Sequence, residues 1–255
     1  MTKYVRIKDG ININWGRVHE SGVILLSDAP WTNPQELGRT VKLEMPKLLA
    51  PAEPSKVVLV GRNYPEHIKE MAGLAKASDE PIIFIKPSTS VIGPNDSIPR
   101  YTELDRVDYE GELGAIIGQK VFKADLEQAR QSVFGYTCVN DVTARNLQKK
   151  DGQWSRAKGF DGFCPVGPWI VTGINPLDLK IETYQNGELR QSGRTSEQIW
   201  NIFELIVFIS SVMTLLPGDL ISTGTPQGVG PISPGDIIRI EIENIGALEN
   251  KVVSA

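Results

Sequence analysis

The stretch Val107-Asp108-Tyr109-Glu110-Gly111-Glu112-Leu113-Gly114-Ala115-Ile116-Ile117-Gly118 places two glutamates, two residues apart, directly before an apolar strand. Side chains alternate between the two faces of a strand, with a rise of about 3.3 Å per residue. Glu110 and Glu112 are therefore predicted to point the same way, about 7 Å apart. Two carboxylates beside a buried strand repel each other and lose hydration, unless a cation lies between them or one stays protonated. The simplest arrangement is a bound metal ion.

A third carboxylate follows a second apolar strand. The chain from Gly135 to Gln148 runs from an apolar strand into Asn140 and Asp141, and then into a predicted helix. A strand end can hold a side chain rigidly and still leave it accessible, so Asp141 is predicted to be a third oxygen ligand. The alternative is that Asp141 caps the following helix, which is a common use of aspartate.

The ligand types narrow the choice of metal. The chain has two histidines, His19 and His67, and neither lies near a cysteine or a second histidine in the sequence. A site made of carboxylate oxygens suits Mg²⁺ or Mn²⁺, allows Ca²⁺ and disfavours zinc. Three carboxylates leave about half of an octahedral coordination sphere for water or a chelating substrate.

Composition excludes several other classes of protein. The 255 residues include 27 basic and 31 acidic ones, which create no basic field for nucleic acid. Cys138 and Cys164 lack CxxC spacing and are predicted to be buried thiols in a reduced compartment. The N-terminus has no apolar stretch like that of a signal peptide. We therefore expect a cytoplasmic protein that binds neither nucleic acid nor a membrane.

One apolar segment, from Ile199 to Leu216, has the length of a membrane span. Polar residues interrupt it, including Asn201 and Glu204, and Pro217 follows it directly. These features predict a buried helix, opened by a Thr195 or Ser196 cap, rather than a helix in a bilayer.

The pattern of predicted strands and turns changes at the proline-rich segment between Ala50 and Pro54. We predict a small accessory domain over residues 1–53 and a larger domain over residues 54–255. Within the first, residues 3 to 26 are predicted to form a β-meander with a hairpin turn at Asp9-Gly10. Asn186-Gly187 predicts a type I′ hairpin. Seven strands are predicted in the larger domain: Lys56–Val60, Ile82–Lys86, Leu113–Ile117, Trp169–Thr172, Leu179–Tyr184, Asp219–Thr223 and Ile237–Ile242. The fold class is therefore α+β and β-rich, with few helices.

Several short motifs occur in one order along residues 55 to 250. They are Gly61-Arg62-Asn63-Tyr64, His67-Ile68-Lys69-Glu70, Phe84-Ile85-Lys86-Pro87-Ser88, Glu110-Gly111-Glu112-Leu113-Gly114, Asp141-Val142-Thr143-Ala144-Arg145, Trp154-Ser155-Arg156-Ala157-Lys158, Asn186-Gly187-Glu188, Thr223-Gly224-Thr225-Pro226 and Gly228-Val229-Gly230. In this pattern the chain resembles the fumarylacetoacetate hydrolase family, and within it the compact acylpyruvase and oxaloacetate decarboxylase branch. The resemblance implies a mixed β-sandwich or roll, preceded by a small β-rich N-terminal domain.

The resemblance also implies roles for individual residues. Glu110, Glu112 and Asp141 match residues that bind Mg²⁺ or Mn²⁺. His67 and Glu70 match an acid–base dyad on a short lid helix, and their three-residue spacing puts them on one helical face. We expect this lid, residues 64–79, to be mobile without substrate, because so short a helix is unstable without packing.

The substrate contacts implied by the resemblance lie further along the chain. Lys158 matches a residue whose ammonium points toward the reacting carbonyl, and Thr225 matches one that contacts the substrate carboxylate. Gln148 and Arg145 are expected to be neighbours of the site. The loop around Gly224 lacks the Lys-Ser/Thr of a phosphate-binding loop, so it is interpreted as bringing backbone amides to a carboxylate.

The predicted function is metal-dependent cleavage of a C–C bond next to a 2-oxo acid through a metal-bound enolate. This covers acylpyruvate hydrolysis and oxaloacetate decarboxylation. Alternatives on the same fold are an isomerase or tautomerase and a hydratase of 2-oxo acids, and a more distant one is a noncatalytic Ca²⁺-binding β-domain. Asp108 departs from the pattern of close acylpyruvase relatives and would alter the charge balance if it reached the site. The resemblance also implies a homodimer.

Overall fold

The computed structural model describes residues 1–43, 47–72 and 78–255, in which strands dominate. The strands are β1 (Thr2–Asp9), β2 (Asn12–His19), β3 (Gly22–Leu26), β4 (Glu36–Val41), β5 (Lys47–Leu49), β6 (Val57–Gly61), β7 (Ile82–Lys86), β8 (Val91–Ile92), β9 (Ile98–Arg100), β10 (Val107–Tyr109), β11 (Gly111–Ile117), β12 (Val133–Asn140), β13 (Thr143–Ala144), β14 (Cys164–Thr172), β15 (Lys180–Gln185), β16 (Glu188–Arg194), β17 (Leu220–Ser222), β18 (Gly230–Pro231), β19 (Ile237–Ile242) and β20 (Gly246–Ser254). The α-helices are α1 (Pro65–Ala72), α2 (Leu126–Ser132), α3 (Arg145–Asp151), α4 (Ser155–Lys158) and α5 (Ile202–Val212). The predicted β-rich α+β fold is confirmed.

The largest sheet has twelve strands. Ten of them follow the order β4-β3-β2-β1-β14-β12-β11-β17-β6-β7, and the other two lie off this path, with β5 paired to β1 and β8 paired to β14. The N-terminal meander extends this sheet, because β1 pairs antiparallel with β14, Tyr4 lying opposite Ile170. The backbone hydrogen bonds therefore continue from the N-terminal strands into the rest of the sheet and mark no domain boundary. The domain division at residue 53 stays a prediction.

Side chains of the large sheet alternate between two hydrophobic cores. Val58 and Val60 of β6 pack into a cluster with helix α5 and the five-stranded sheet β16-β15-β19-β20-β9. Val57 and Leu59 point to the opposite face and join a cluster with Ala50 of the proline-rich segment. Burial on both faces explains why these strands read as continuous apolar runs.

A small third sheet, β13-β10-β18, lies at one end of the large sheet and positions the polar residues. β10 leads directly into β11 through Glu110, and β12 leads into β13 through Asp141. Two segments of the chain therefore pass between the large and the small sheet, one at Glu110 and the other at Asp141. A carboxylate at such a transition does not interrupt the hydrogen bonds within either sheet.

Local predictions from the sequence are mostly confirmed. Asn186 and Gly187 have φ angles of 55° and 82°, as a type I′ turn requires at both central positions. Both cysteines are buried free thiols. Asp141 does not cap a helix, because α3 begins at Arg145 with Ala144 at its N-cap.

The predicted cap of helix α5 is wrong. The N-cap is Asn201, whose side chain accepts hydrogen bonds from the backbone N–H groups of Phe203 and Glu204. The Thr195 hydroxyl instead donates to the Pro176 carbonyl at 2.7 Å and accepts from the Leu179 N–H at 2.8 Å. Thr195 is therefore committed to a neighbouring loop. In the part of the chain described, no helix is both long and apolar enough to cross a membrane.

Candidate active site

Glu110 and Asp141 are brought together by backbone hydrogen bonds between the two sheet transitions. The Asp141 N–H donates to the Glu110 carbonyl at 2.9 Å, and the Glu110 N–H donates to the Asn140 side-chain oxygen at 3.0 Å. Glu110, Glu112 and Asp141 are all buried, and each offers a carboxylate oxygen within 4.8 Å of those of the other two. The three carboxylates singled out in the sequence form one cluster.

Gly111 separates the two glutamates and has no room for a side chain. A Cβ atom at this position would lie 2.2 Å from Oγ1 of Thr183, on the five-stranded sheet. The Gly111 N–H also donates to the Gln191 side-chain oxygen at 2.9 Å. The close approach of the second sheet therefore fixes the backbone from which both glutamates project.

Glu112 has uncharged hydrogen-bond partners. Among the described residues, its Oε2 accepts from the Ser222 hydroxyl at 2.5 Å and from the Gly224 N–H at 3.0 Å. Burial, together with the nearby Asp141 and Glu110 carboxylates, raises the pKa of Glu112 to about 8. Glu112 therefore holds a proton at neutral pH unless another cation takes its place.

Three buried cations face the other two carboxylates. Lys158 Nζ contacts Glu110 Oε2 at 2.9 Å and also contacts Asp141. Lys86 Nζ lies 2.6 Å from the second oxygen of Asp141, and Arg145 Nη2 lies 2.6 Å from Glu110 Oε1. Burial alone would raise the pKa of Glu110, but Lys158 and Arg145 hold it below its ordinary value.

The donor set fits a divalent metal ion. It offers three clustered carboxylates made only of hard oxygen ligands, and one of them, Glu112, lacks a cationic partner among the described residues. A divalent cation would replace the proton on Glu112 and relieve the repulsion between the carboxylates. Residues Glu110, Glu112 and Asp141 could therefore hold such an ion.

Lys158→Met is expected to separate the role of this ammonium from that of a metal ligand. Its loss removes a charge that competes with a divalent ion for Glu110 and Asp141, so Mn²⁺ should bind at least as tightly as in the wild type, while turnover is lost. It also removes one of the two cationic partners of each of two buried carboxylates, since Lys86 remains beside Asp141 and Arg145 beside Glu110. The metal-free variant should therefore unfold at a lower temperature, and Mn²⁺ should raise its Tm more than it raises that of the wild type. Calorimetric Mn²⁺ titration and thermal unfolding measure both effects, and weaker Mn²⁺ binding would contradict this role.

The His67–Glu70 pair lies on helix α1, on one face as its spacing predicts. His67 Nδ1 is 3.3 Å from Glu70 Oε2, and both Glu70 oxygens accept the Gly228 N–H at 3.1 Å. His67 is 8% exposed, and burial lowers its pKa below 6.5, although Glu110 and Glu70 oppose the shift. His67 is therefore neutral at pH 7 and available as a base.

Helix α1 is docked on the protein in this structure, with Ile68 buried and the Gly228 loop bound to Glu70. The expected mobility of segment 64–79 without substrate stays a prediction, and its residues 73–77 lie outside the described ones.

A cavity of about 740 Å³ joins the predicted residues. Eight of the ten residues named as candidates line it: His67, Glu70, Glu110, Glu112, Arg145, Gln148, Lys158 and Thr225. Asp141 lies behind this lining, in contact with Lys158. The sequence therefore identified residues from five separate segments that fold to one place.

Two candidate substrate-binding groups are already engaged within the protein. The Thr225 hydroxyl donates to the Gly111 carbonyl at 2.8 Å and accepts from Gln191 Nε2 at 2.8 Å. The Gly224 N–H binds the Glu112 carboxylate, so the loop does bring an amide to a carboxylate, but to one of the protein's own. Their roles toward a substrate stay predictions.

The sequence analysis did not single out Ser222, and it named Lys86 only as part of a motif. Ser222 ends strand β17, and its hydroxyl orients Glu112. Lys86 ends strand β7, and its Nζ donates to the Val142 carbonyl at 3.0 Å and to the Phe163 carbonyl. The same ammonium forms an ion pair with Asp141. A polar residue ending an apolar strand was the signal that found Asp141, and the same signal was present at both positions.

Comparisons with known proteins agree with this geometry. Residues 56–253 match the family described as "Fumarylacetoacetate (FAA) hydrolase C-terminal", and residues 2–51 match "Rv2993c-like, N-terminal". The chain is 49% identical over 231 residues to "Protein Rv2993c" of Mycobacterium tuberculosis, covering 89% of this chain and 86% of that protein. It is 43% identical over 219 residues to "Oxaloacetate tautomerase YisK" of Bacillus subtilis, covering 81% and 73%.

A solved structure described as 5-carboxymethyl-2-hydroxymuconate delta-isomerase from Mycobacterium smegmatis has the same fold. It superposes with a TM-score of 0.93 at 43% sequence identity, covering 99% of this chain and 100% of that one. The ordered motifs, the carboxylate cluster and these similarities agree, and the chain belongs to the fumarylacetoacetate hydrolase family.

Proposed function

We propose that this protein is a divalent-metal-dependent enzyme that interconverts the keto and enol forms of a short 2-oxo acid. The observation that carries the proposal is one cavity lined by the His67–Glu70 pair, Lys158 and the glutamates of the carboxylate cluster. The names of two relatives, an oxaloacetate tautomerase and a delta-isomerase, support proton-transfer chemistry next to a 2-oxo group. Both Mg²⁺ and Mn²⁺ suit the oxygen ligands.

In this proposal each group of site residues has its own role in the reaction. Glu110, Glu112 and Asp141 would hold the metal ion, which supplies Lewis-acid stabilisation for the negative charge that develops on the 2-oxo oxygen. With its Nδ1 bonded to Glu70, His67 presents Nε2 as the base that removes the proton from carbon 3. The Lys158 ammonium adds a second positive charge beside the developing enolate.

C–C bond cleavage, placed first in the sequence analysis, is the second candidate. The hydrogen bond between His67 and Glu70 favours it, because a neutral histidine oriented by a carboxylate can also activate water. In acylpyruvate hydrolysis that water would attack the distal carbonyl, whereas oxaloacetate decarboxylation needs no water. Both cleavage reactions and tautomerisation proceed through an enolate.

Product identification separates these candidates. The protein, loaded with Mg²⁺ or Mn²⁺, is given oxaloacetate, acetylpyruvate and related 2-oxo acids, and the products are identified. Faster loss of enol absorbance without release of carbon dioxide or pyruvate supports tautomerisation. Release of carbon dioxide or pyruvate at the rate of substrate loss contradicts it and supports cleavage.

The pH profile of kcat/KM is expected to stay flat below the ordinary histidine range. Burial lowers the pKa of His67, so its neutral, proton-accepting form persists below pH 6.5, and activity should decline only at more acidic pH. The measurement is made at saturating Mn²⁺, so that proton competition at the metal ligands does not contribute. A decline centred above pH 6.5 would contradict the assignment of His67 as the base.

The cytoplasmic location, the homodimer and the lack of nucleic-acid or membrane partners stay predictions.

A further inference from the structure

Asp108 is a buried carboxylate that anchors two arginines. Its side chain is fully buried; Oδ1 accepts from Arg106 Nε at 2.8 Å, and Oδ2 accepts from Arg106 Nη2 at 2.9 Å and from Arg145 Nε at 2.9 Å. Arg145 then reaches Glu110 at 2.6 Å. Asp108 does not itself line the cavity, but both arginines do.

Arg106 is held rigidly and still presents part of its guanidinium to the cavity. Asp108 binds it through two parallel hydrogen bonds, which fix the plane of the group. The Arg106 side chain is 52% exposed, and its Nη1 has no hydrogen-bond partner among the described residues. A fixed guanidinium with free N–H donors is preorganised for a carboxylate ligand, because little conformational entropy remains to be lost on binding.

The excess of cationic side chains in the cavity lining favours an anionic ligand. Its described lining carries five cationic side chains, Arg62, Arg106, Arg145, Lys149 and Lys158, and three carboxylates, Glu70, Glu110 and Glu112. A divalent ion on the carboxylate cluster would increase the positive excess. A ligand with two carboxylates balances this charge better than one with a single carboxylate.

Arg106 is connected to the carboxylate cluster by a short series of ion pairs. The contacts run without interruption from Glu110 to Arg145, from Arg145 to Asp108 and from Asp108 to Arg106. Arg106 Nη2 and Arg145 Nε both donate to Asp108 Oδ2, each at 2.9 Å, so the two guanidinium groups lie close together. A ligand held next to Glu110 therefore lies in the same cavity as Arg106.

We infer that Arg106, positioned by Asp108, binds the second carboxylate of the substrate and selects short 2-oxo dicarboxylates over 2-oxo acids with a neutral tail. The inference rests on the proposed function, since it assumes that the first carboxylate and the 2-oxo group bind at the metal. Arg62 and Lys149 also line the cavity, but both are exposed, and neither side chain forms a hydrogen bond or an ion pair with a described residue.

Two unreactive ligands test this selection without turnover. L-malate and (S)-2-hydroxybutyrate can both chelate a metal through a carboxylate and a hydroxyl, and they differ in one position, a carboxylate in the first and a methyl group in the second. Their affinities for the Mn²⁺-loaded protein are measured by calorimetry, with oxalate as a ligand that has no tail. The wild type should prefer malate, and Arg106→Gln should reduce that preference roughly tenfold or more, the scale of a lost charge-assisted hydrogen-bond pair.

Lys149→Gln is the matched control, because it removes one positive charge from the same cavity lining. It should change the ratio of the two affinities little, and Arg106→Lys should give an intermediate ratio, because it keeps the charge but loses the planar fork. Unchanged oxalate and Mn²⁺ affinities in Arg106→Gln show that the metal cluster is intact.

Three outcomes would overturn the inference: a preference for malate that survives in Arg106→Gln, an equal loss in Lys149→Gln, or no preference in the wild type. If oxalate and malate both fail to bind the Mn²⁺-loaded wild type, the proposed function fails as well. If oxalate binds but the malate preference does not depend on Arg106, only the present inference fails.

Discussion

Glu112→Gln should lower kcat/KM by about a thousandfold or more and weaken divalent-metal binding strongly. Lewis-acid stabilisation of a developing enolate contributes several kcal/mol, and each 1.4 kcal/mol is about a factor of ten in rate. The amide still accepts the hydrogen bonds of Ser222 and Gly224 through its oxygen, so the fold should be retained. Calorimetric Mn²⁺ titration and steady-state kinetics measure the two effects.

Chelation provides an independent arm of this test. EDTA should abolish activity, and added Mg²⁺ or Mn²⁺ should restore it in the wild type but not in Glu112→Gln. Glu182→Gln is the control, since it changes a mostly buried strand glutamate that pairs with Lys180, outside the cavity lining. Full activity in a metal-stripped wild type would rule out the metal-dependent mechanism.

His67→Ala should depress tautomerisation and acylpyruvate hydrolysis by about 10²- to 10⁴-fold, the usual contribution of a positioned general acid–base. Metal-driven decarboxylation of oxaloacetate should lose much less, because that step needs neither a base nor an activated water. The rates of the three reactions are compared in the same Mn²⁺-loaded preparation. The chain's other histidine makes a matched control: His19 is exposed at the end of β2, and His19→Ala should leave all three rates unchanged.

The pattern of losses identifies the role of His67. An equal loss in all three reactions would make the His67–Glu70 pair an element that positions helix α1 rather than a proton-transfer group. The hydrogen bond from the Gly228 N–H to Glu70 supports that alternative, because it connects helix α1 to the loop after Thr225. If none of the three reactions is slowed, His67 has no role in catalysis.

Regular local structure was predictable because its causes are local. The strand Ile82–Lys86 occupies the predicted residues, and the Asn186-Gly187 turn has the positive φ angles that these two residue types tolerate. The cap of helix α5 was also encoded locally, because Asn201 directly precedes the helix and Glu204 follows three residues later as in a capping box, so the choice of Thr195 or Ser196 missed a local signal.

The carboxylate cluster was predictable in composition but not in its charge state. Spacing and strand ends pointed to Glu110, Glu112 and Asp141. The raised pKa of Glu112, however, arises from burial and from Asp141, a residue 29 positions away in the chain. Likewise, Lys86 and Ser222 act on this cluster from strands that are distant in sequence.

The sequence by itself determined the β-rich fold, the family resemblance and the set of residues with suitable chemistry, because periodicity, turn residues and motif order are properties of the chain alone. The tertiary structure decided which charges meet: Asp108 with Arg106 and Arg145, and Lys158 with Glu110 and Asp141. Electrostatic energies depend on distance and burial, and neither is set until the two sheet transitions at Glu110 and Asp141 lie side by side.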